Sequence, residues 1–431
     1  MIKPVVLKGF RDSLPKQEMA KKKIIRKLED VFTSYGFVPI DTPALELSEI
    51  LLGKGGGETD KQVFSFQDNG GRNVAMRFDL TVPFARFIAQ NFNSLNLPFK
   101  RFHINKVWRG ENPQKGRYRE FIQCDFDIVG LNNALSDFEI LSLMAASFNE
   151  LGLSNYTFHL SHRGLLNEFL NFHNIADKNT EILRLIDKLR KIGEEEVVRQ
   201  LTELTNDAEL ANKVIAFITY DKNEEFLSTL ERMETLSGGE SVSSQRVKEV
   251  YALLEGAGIA KHFSLDPSIT RGLDYYTGIV YETFLDELPS FGSVCSGGRY
   301  DNLTALYTKE VVPGVGSSIG LDRLVAALEE LDSPIVKEVA ASDAIIFFDK
   351  DNNINAFNLA KELRANGLRI NTFLAQEKKF KAQWAYVERE NIPYVVSFGN
   401  EFKYAVKNAK TREYLNTNEV SDLVAFIKDN K

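Results

Sequence analysis

The apolar positions change period along this chain. Between Glu18 and Tyr35, Ile24, Ile25, Leu28, Val31, Phe32 and Tyr35 recur at helical spacing, and Gly36 ends the run. FVPIDTP then reads as extended and stops at Pro43. Gly53, Gly55, Gly56 and Gly57 predict a flexible loop; it lacks the G-K-[ST] ending of a phosphate-binding P-loop. Val63 to Asp68 and NVAMRFDL, separated by Asn69-Gly70-Gly71, predict a β-hairpin. Phe99 to Gly110 and Arg119 to Gly130 predict a second hairpin around ENPQKGRY. Its alternating apolar and polar residues suit antiparallel strands with one wet face.

The period turns helical from about Ala176 to Lys261. Ile182, Leu185, Ile186 and Leu189 mark an amphipathic helix, and Ser237-Gly238-Gly239-Glu240-Ser241 reads as an internal linker. Residues 176–261 therefore predict an inserted helical subdomain. Extended sequence resumes with SLDPSITRGLDYYTGIVYETF, and a glycine-rich strand pair and a helix run on to about Leu331. After residue 342, strands AIIFF, RINTF, YVVSF and YAVKN alternate with helices marked by Leu359, Trp384 and Leu423. That alternation predicts a separate α/β domain with parallel pairings.

A length of 431 residues suggests about three domains. The 43% hydrophobic content supports a large core, and thirty-one phenylalanines exclude general disorder. No stretch approaches the ~20 apolar residues of a membrane helix. MIKPVVLKGFRD contains neither a long apolar run nor a cleavage pattern, so a cytoplasmic protein is expected. Cys124 and Cys295 cannot build a disulfide framework and read as buried, reduced thiols. His159 and His162 sit close together in FHLSHRG, but no zinc-type spacing accompanies them, and packing roles are expected. The net charge of −7 argues against a polyanionic partner until its distribution is considered. Lys100 to Arg119 carries seven basic residues against Glu111 alone, and residues 342–431 carry 14 basic against 12 acidic residues. These local excesses suit polyanions met at chosen places.

The densest chemistry lies in WRGENPQKGRYREFIQCDFD, from Trp108 to Asp127. Arg109 closes a strand, Glu111 follows two residues later, and the loop returns to Arg117, with Phe121 and Asp125 at four-residue steps. Far along the chain, GVGSSIGLDRLVAAL places Arg323 one turn into a helix entered through glycines. Arginines from distant segments suit a bent nucleoside triphosphate, because each stays charged and can grip phosphate with two N–H donors. Phe121 can stack on a purine. Together these segments resemble the second and third motifs of class II aminoacyl-tRNA synthetases, and Pro43 after the long helix resembles the first. RGLDYYTG (Arg271 to Gly278) and CSGGRYDNL (Cys295 to Leu303) resemble the two histidine-specific motifs of histidyl-tRNA synthetases. FDLTVPFAR and PQKGRYREF fit as well, so the resemblance runs over essentially the whole chain. FDLTVPFAR and RYREFIQCDFDIVG look closer to the eukaryotic-like branch, whereas Asn112-Pro113-Gln114-Lys115 resembles the bacterial form.

The resemblance implies an α+β fold. A class II antiparallel-sheet catalytic core would occupy residues 1–175 and 262–331, with a helical insertion at 176–261. A C-terminal α/β anticodon-binding domain would occupy 342–431. It implies ATP-dependent ligation of L-histidine to the 3′ end of histidine tRNA through histidyl-adenylate, with Mg²⁺ shared by the leaving pyrophosphate, in a homodimer built through the first motif. Arg109 and Arg271 would stabilise the α-phosphate. Arg117 and Arg323 would hold the outer phosphates, Glu111 would meet the adenine amino group and Phe121 would stack on the ring. Asp79, Thr81 and Gln123 would hold the α-amino group. Asp127 and Tyr276 would read the two imidazole nitrogens, with Asp127 one methylene shorter than the glutamate many members carry. Tyr275 and Tyr300 would wall the pocket, and Gly297 and Gly298 would let backbone approach the substrate. Lys115 and Arg119 would grip tRNA phosphates, and Gln114 would sense the extra 5′ guanosine of histidine tRNA.

Three rival readings are a regulatory paralogue of ATP phosphoribosyltransferase, an uncharged-tRNA sensor and a class II synthetase of another specificity, the last opposed by RGLDYYTG. The paralogues lack the C-terminal domain and parts of the catalytic set, both of which this chain keeps. The sensors usually belong to longer chains with a kinase part.

Overall fold

In a computed structural model of the chain, residues 1–53, 62–186, 189–269, 275–337, 339–375 and 377–429 are described. The glycine loop predicted beyond Gly53 and the first half of RGLDYYTG, Arg271 included, lie outside these residues. The chain divides into two compact units, Met1–Asp12 with Ile24–Leu331 and Ser13–Lys23 with Asp332–Lys431.

The first unit is built on an eight-stranded sheet. Its order is Val38–Pro39, Phe99–Trp108, Glu120–Val129, Gly314–Gly320, Cys295–Tyr300, Ile279–Leu285, Tyr156–His162 and Phe263–Leu265. The outermost pairing at each edge is parallel and every pairing between them is antiparallel. With helices laid on it, this is the α+β architecture the sequence implied. The long helix runs from Pro15 to Ser34. Its Ile24, Leu28 and Phe32, at four-residue steps, are fully buried, and Phe32 lies 4.9 Å from the Phe126 ring. Gly36 adopts φ +78°, so the Phe37 N–H can bond back to the Phe32 carbonyl at 3.1 Å and close the helix. The first predicted hairpin forms as Ser65–Gln67 and Asn73–Met76, with Leu45–Leu47 added as a third strand.

The central hairpin departs from expectation. Phe99–Trp108 and Glu120–Val129 pair in register from Phe99↔Val129 to Trp108↔Glu120. One face of the second strand, Cys124, Phe126 and Ile128, is buried with the apolar core. The other carries Gln123, Asp125 and Asp127 opposite Asn105, His103 and Arg101. This was the predicted wet face, yet Arg101, His103, Gln123, Asp125 and Asp127 are all buried. The polar residues instead form a protein floor. Arg101 and Asp127 make an ion pair at 2.7 Å, and the Tyr300 hydroxyl donates to Asp127 at 2.6 Å. Gly316 stands beside Asp127 in register, and a side-chain carbon there would come within 1.9 Å of the carboxylate.

Residues 179–256 are largely helical, as the pattern predicted. Asp207 caps Ala208–Ile218 by accepting from Glu209 and Leu210 N–H groups. The predicted linker around Gly238 is instead a short turn between Phe226–Leu236 and Val242–Gly256, and Ser241 forms a capping box with Ser244.

In the second unit the strand order is Ile370–Thr372, Ala344–Phe347, Tyr394–Phe398, Tyr404–Asn408 and Tyr414–Thr417. The first three are parallel, crossing over through helices Asn353–Ala365 and Phe380–Arg389. The last two pair antiparallel, because connections of a few residues can only reverse the chain. The expectation of parallel pairings is corrected there. Ala344 and Ile346 pack towards Leu359, Leu363 and Leu423, while Ile345 and Phe347 pack towards Val387 and Ile392. Burial on both faces explains the unbroken apolar run AIIFF.

The buried floor has a pH signature. Burial pushes the Asp125 carboxyl up to about 7, against the pull of Arg101 and with a further push from Asp127. A carboxyl raised in the folded state favours folding at low pH, and that favour is lost as pH rises from the unfolded value through about 7. Asp125→Asn cannot lose it. The stability of the variant relative to the parent should rise between pH 4 and 7, by up to about 1.4 kcal/mol per pH unit. Urea midpoints across that range measure the gap; one that stays constant would mean that Asp125 is ionised throughout.

Candidate active site

Two cavities open above the polar floor. The first, about 220 Å³, is lined by Arg109, Glu111, Arg117, Phe121 and Arg323, five of the six residues expected to meet ATP; the sixth, Arg271, lies outside the described residues. The second, about 200 Å³, is lined by Asp79, Thr81, Gln123, Tyr275 and Tyr276. Arg109, Gln123, Glu282, Ser296 and Ser318 border both. The sheet register explains this shared border. Gln123, Ser318, Ser296 and Glu282 stand on adjacent strands with side chains on the same face.

The first cavity is cationic. Arg109 Nε donates to the Phe78 carbonyl at 2.9 Å, and its guanidinium lies 5.2 Å from the Phe121 ring centre. Arg323 Nη1 donates to the Ser293 carbonyl at 2.5 Å. Burial, reinforced by Arg117, lowers the Arg323 pKa, so an anion placed between these cations relieves their repulsion. Arg117 lies 3.4 Å from Glu111. Gly116 adopts φ +72° beneath it, and a side-chain carbon there would stand 3.5 Å from Arg323. The turn can therefore lie close over the helix Leu321–Glu330.

The second cavity offers acceptors. Asp79 is buried, with one carboxylate oxygen accepting the Val82 N–H at 3.1 Å and the other the Tyr275 hydroxyl at 3.4 Å. Burial raises its pKa to about 6, opposed by the Val82 N–H and Arg109, so at neutral pH it is mostly ionised. Gln123 donates to Ser318 Oγ at 2.8 Å, while its buried Oε1 has no hydrogen-bond partner among the described residues. A buried orphan acceptor beside a carboxylate suits a ligand ammonium. The Tyr275 and Tyr276 rings meet edge to face at 4.9 Å.

Not every predicted residue reaches a cavity. Asp127 lines neither, being held by Arg101 and Tyr300 behind the wall. The physical reason is that a fully buried arginine needs a counter-charge, and Asp127 is directly opposite Arg101. Tyr300 lies behind the same wall. The room at Gly298 is used by the Tyr276 ring, and a side-chain carbon on Gly297 would strike the Gly316 carbonyl and the Tyr281 ring. Gly297 nonetheless lines the second cavity, as expected of backbone that approaches a ligand, whereas packing accounts for Gly298.

At the loop tip, Gln114 and Arg117 exchange two backbone hydrogen bonds of 2.9 Å, and Gln114 is exposed. Lys115 pairs with Glu330 at 2.5 Å. Arg119, expected to grip phosphate, instead donates to the carbonyls of Glu111 at 3.1 Å and Lys8 at 3.3 Å. His159 pairs with Asp266 at 2.8 Å, and His162 caps the helix Arg163–Phe172 by accepting the Gly164 N–H. Both cysteines are buried and free.

Sequence reasoning missed Glu282, Ser296 and Ser318, small or common residues on alternating strand positions that become informative only once the register is known. It also missed Arg11, which donates to Asp322 and Tyr118, each at 2.8 Å, while Asp322 accepts the Ile122 N–H. In the second unit a groove of about 1250 Å³ carries Phe380, Trp384 and Tyr414 beside Lys403, Lys407 and Arg412. Lys407 and Arg412 each lie 5.6 Å from the Trp384 ring centre.

The family description "Histidyl-tRNA synthetase" matches residues 9–324, and "Anticodon binding domain" matches residues 344–430. A histidine–tRNA ligase of Treponema denticola is 52% identical, the match covering 91% of this chain and 88% of the relative. One from Rhodopirellula baltica is 44% identical, over 98% of this chain and 96% of the relative. The crystal structure of a histidyl-tRNA synthetase from Nostoc sp. PCC 7120 matches with a TM-score of 0.89 and 28% identity, covering 100% of both chains. The cationic and acceptor-lined cavities thus stand in a chain whose sequence and fold agree along its length: it belongs to the histidyl-tRNA synthetase family.

Proposed function

We propose that this chain ligates L-histidine to the 3′ end of histidine tRNA, with ATP as the activating substrate. The observation that carries the reading is the shared border of the two cavities, a cationic one with an aromatic wall and an acceptor-lined one, with Arg109 facing both. Triphosphate and amino acid bound there would meet at Arg109. The histidine carboxylate oxygen attacks the α-phosphorus, the bond to the bridging oxygen breaks, and pyrophosphate leaves. Arg109 stabilises charge on the α-phosphate oxygens in the transition state. By resemblance Arg271 supplies a second cation. Arg117 and Arg323 hold the outer phosphates, Glu111 accepts from the adenine amino group, and Phe121 stacks on the ring.

Asp79 and Gln123 Oε1 take the α-ammonium with Thr81, and the Tyr276 phenol meets one imidazole nitrogen, with Tyr275 beside it. Asp127 and Tyr300 support this wall from behind. A hard cation fits the nucleotide cavity, because the Glu282 carboxylate stands on its wall and phosphates would supply further oxygens. Mg²⁺ bound there would neutralise charge on the departing pyrophosphate.

The tRNA 3′-hydroxyl then attacks the adenylate carbonyl carbon and AMP leaves. We read residues 1–175 with 262–331 as the catalytic core, 176–261 as a helical insertion and 342–431 as the anticodon-binding domain. The groove around Trp384 would take unstacked anticodon bases between aromatic faces and cations. Lys115 at the exposed loop tip would grip acceptor-stem phosphates, and Arg119 would support the loop that carries it. Val38, Leu45, Leu47 and Phe66, between 42% and 49% exposed, suit coverage by a second copy in a homodimer. Among the described residues no helix is long and apolar enough to cross a membrane.

Three measurements test this reading. ATP–pyrophosphate exchange tried with each of the twenty amino acids should respond to histidine alone, and Arg323→Ala should slow it by two to three orders of magnitude, about 3–4 kcal/mol. Exchange driven by another amino acid, or a variant within threefold of the parent, contradicts the assignment. Sedimentation should give twice the chain mass; a monomer at every concentration removes the second copy. Gln114→Ala should leave exchange nearly unchanged and weaken the preference for tRNA with the extra 5′ guanosine by about 1–3 kcal/mol. Charging of transcripts with and without that guanosine by both enzymes reads this directly, and an unchanged ratio excludes Gln114 as the reader.

A further inference from the structure

Behind the acceptor-lined cavity, segments far apart in sequence meet in one ionic cluster. Its hub is Arg299, 2% exposed, on the strand Cys295–Tyr300. Its Nε and Nη2 both donate to Asp137 Oδ1, at 2.9 and 2.6 Å. Nη1 donates to the Leu131 carbonyl at 2.9 Å and to Asp301 Oδ1 at 3.2 Å. Asp137 is fully buried, and its second oxygen accepts Nη1 of Arg246 at 2.9 Å. Arg246 comes from the helix Val242–Gly256 in the helical region and also donates to Asn132 Oδ1 at 3.2 Å. Asn132 donates in turn to Asp301 at 3.4 Å, which closes a ring.

The ring ends on the wall of the amino-acid cavity. Thr277 Oγ1 donates to Asp301 Oδ2 at 3.1 Å and accepts the Asp301 N–H at 3.0 Å. The Thr277 N–H donates to the Arg299 carbonyl at 2.7 Å. Thr277 directly follows Tyr275 and Tyr276, both of which line the cavity. Two arginines and two aspartates balance in charge. Removing Arg246 would leave Asp137 and Asp301 sharing one cation, with Asp137 far from water. Solvent reaches the outer members Asn132, Arg246 and Asp301 but not Asp137 or Arg299, so an imbalance at this inner pair is poorly screened and shifts its partners.

We infer that Arg246 is a positioning residue for the amino-acid site, acting through Asp137, Arg299 and Asp301 on Thr277 and so on the Tyr275–Tyr276 wall. This rests on the reading of that cavity as the histidine site. The helical region thereby takes part in amino-acid binding without touching the ligand. The nucleotide cavity is lined by neither Tyr275 nor Tyr276 and should not respond.

The test is pyrophosphate exchange by the full chain, with histidine and ATP varied separately. Arg246→Gln should raise KM for histidine about tenfold and leave KM for ATP within twofold, and Arg246→Lys should recover most of the loss. Thr277→Val, which cuts the last link, should give the same split. The double variant Arg246→Gln/Thr277→Val should be no worse than the Thr277 change alone, since both act on one path. Arg246 is partly exposed, so its replacement is compatible with folding. An unchanged KM for histidine, equal rises in both KM values, or additive effects of the two changes would overturn the coupling. A parent that fails to exchange with histidine would overturn the functional reading itself, whereas an active parent with an unaffected variant overturns the coupling alone.

Discussion

The buried pairing of Arg101 with Asp127 is the constraint on which the rest of the catalytic sheet depends. Both side chains are out of water, and a charge in that position is tolerated only with a partner. Breaking such a pair typically costs about 3–5 kcal/mol, because the survivor stays buried and unpaired. The pair locks the hairpin register, since a slip of one residue would turn Asp127 to the opposite face. That same register puts Gln123 and Phe121 further along the strand at the cavities and brings Arg109 to its end. The pair also explains the absence of a side chain at Gly316 and the inward hydroxyl of Tyr300. A stability requirement thus sets the coordinates of the chemistry.

Charge is distributed to match. The chain is acidic overall, with a net charge of −7, yet Arg109, Arg117 and Arg323 converge on one small cavity. Burial lowers the Arg323 pKa and the nearby Arg117 and Arg109 lower it further, so an anion placed among these cations would relieve both costs. A neighbouring cavity with a carboxylate and an unpartnered amide oxygen has the opposite preference. The two fields meet at Arg109, whose guanidinium is tethered to the Phe78 carbonyl. Tethering keeps the cation from collapsing onto Asp79, which it already stabilises in the ionised form.

Much of this was legible in the sequence, for physical reasons that also mark the limits. The helix ending at Ser34 and the hairpin around Gly116 were readable because period and turn residues are local signals. That Arg109, Arg117, Arg323 and Phe121 would gather at one cavity was readable because their motifs pack several functional groups into few residues. Asp127 was misplaced because its surroundings are set by a strand partner 26 residues away, and a residue type does not announce its partner. The wet face was misjudged for the same reason, since alternation tells that one face is polar and not whether water or protein covers it. The turn at Gly238 looked like a linker because small polar residues serve both purposes, and only the capping box of Ser241 decides between them. The closing antiparallel strand Tyr414–Thr417 escaped because four residues, half of them polar, carry too little pattern.

The placement of Asp127 bears on how an imidazole can be recognised. A ring with one donor and one acceptor asks the protein for two complementary groups. Tyr276 lines the cavity and can supply one. Asp127 is one methylene shorter than glutamate, and its carboxylate already has the Arg101 guanidinium on one oxygen and the Tyr300 hydroxyl on the other. Swinging it into the cavity would strand a fully buried guanidinium, which is far more costly than the single hydrogen bond to be gained. In the function proposed above, recognition would therefore fall to the wall that Asp127 supports rather than to Asp127 itself. The specificity of the cavity then depends on how firmly that wall is held. Tyr276 lies over Gly298, where a side-chain carbon would stand 3.0 Å from its ring, and the next residue is clasped by Asp301. Rigidity in these supports, more than any additional contact, would let one phenol discriminate between ligands of similar size.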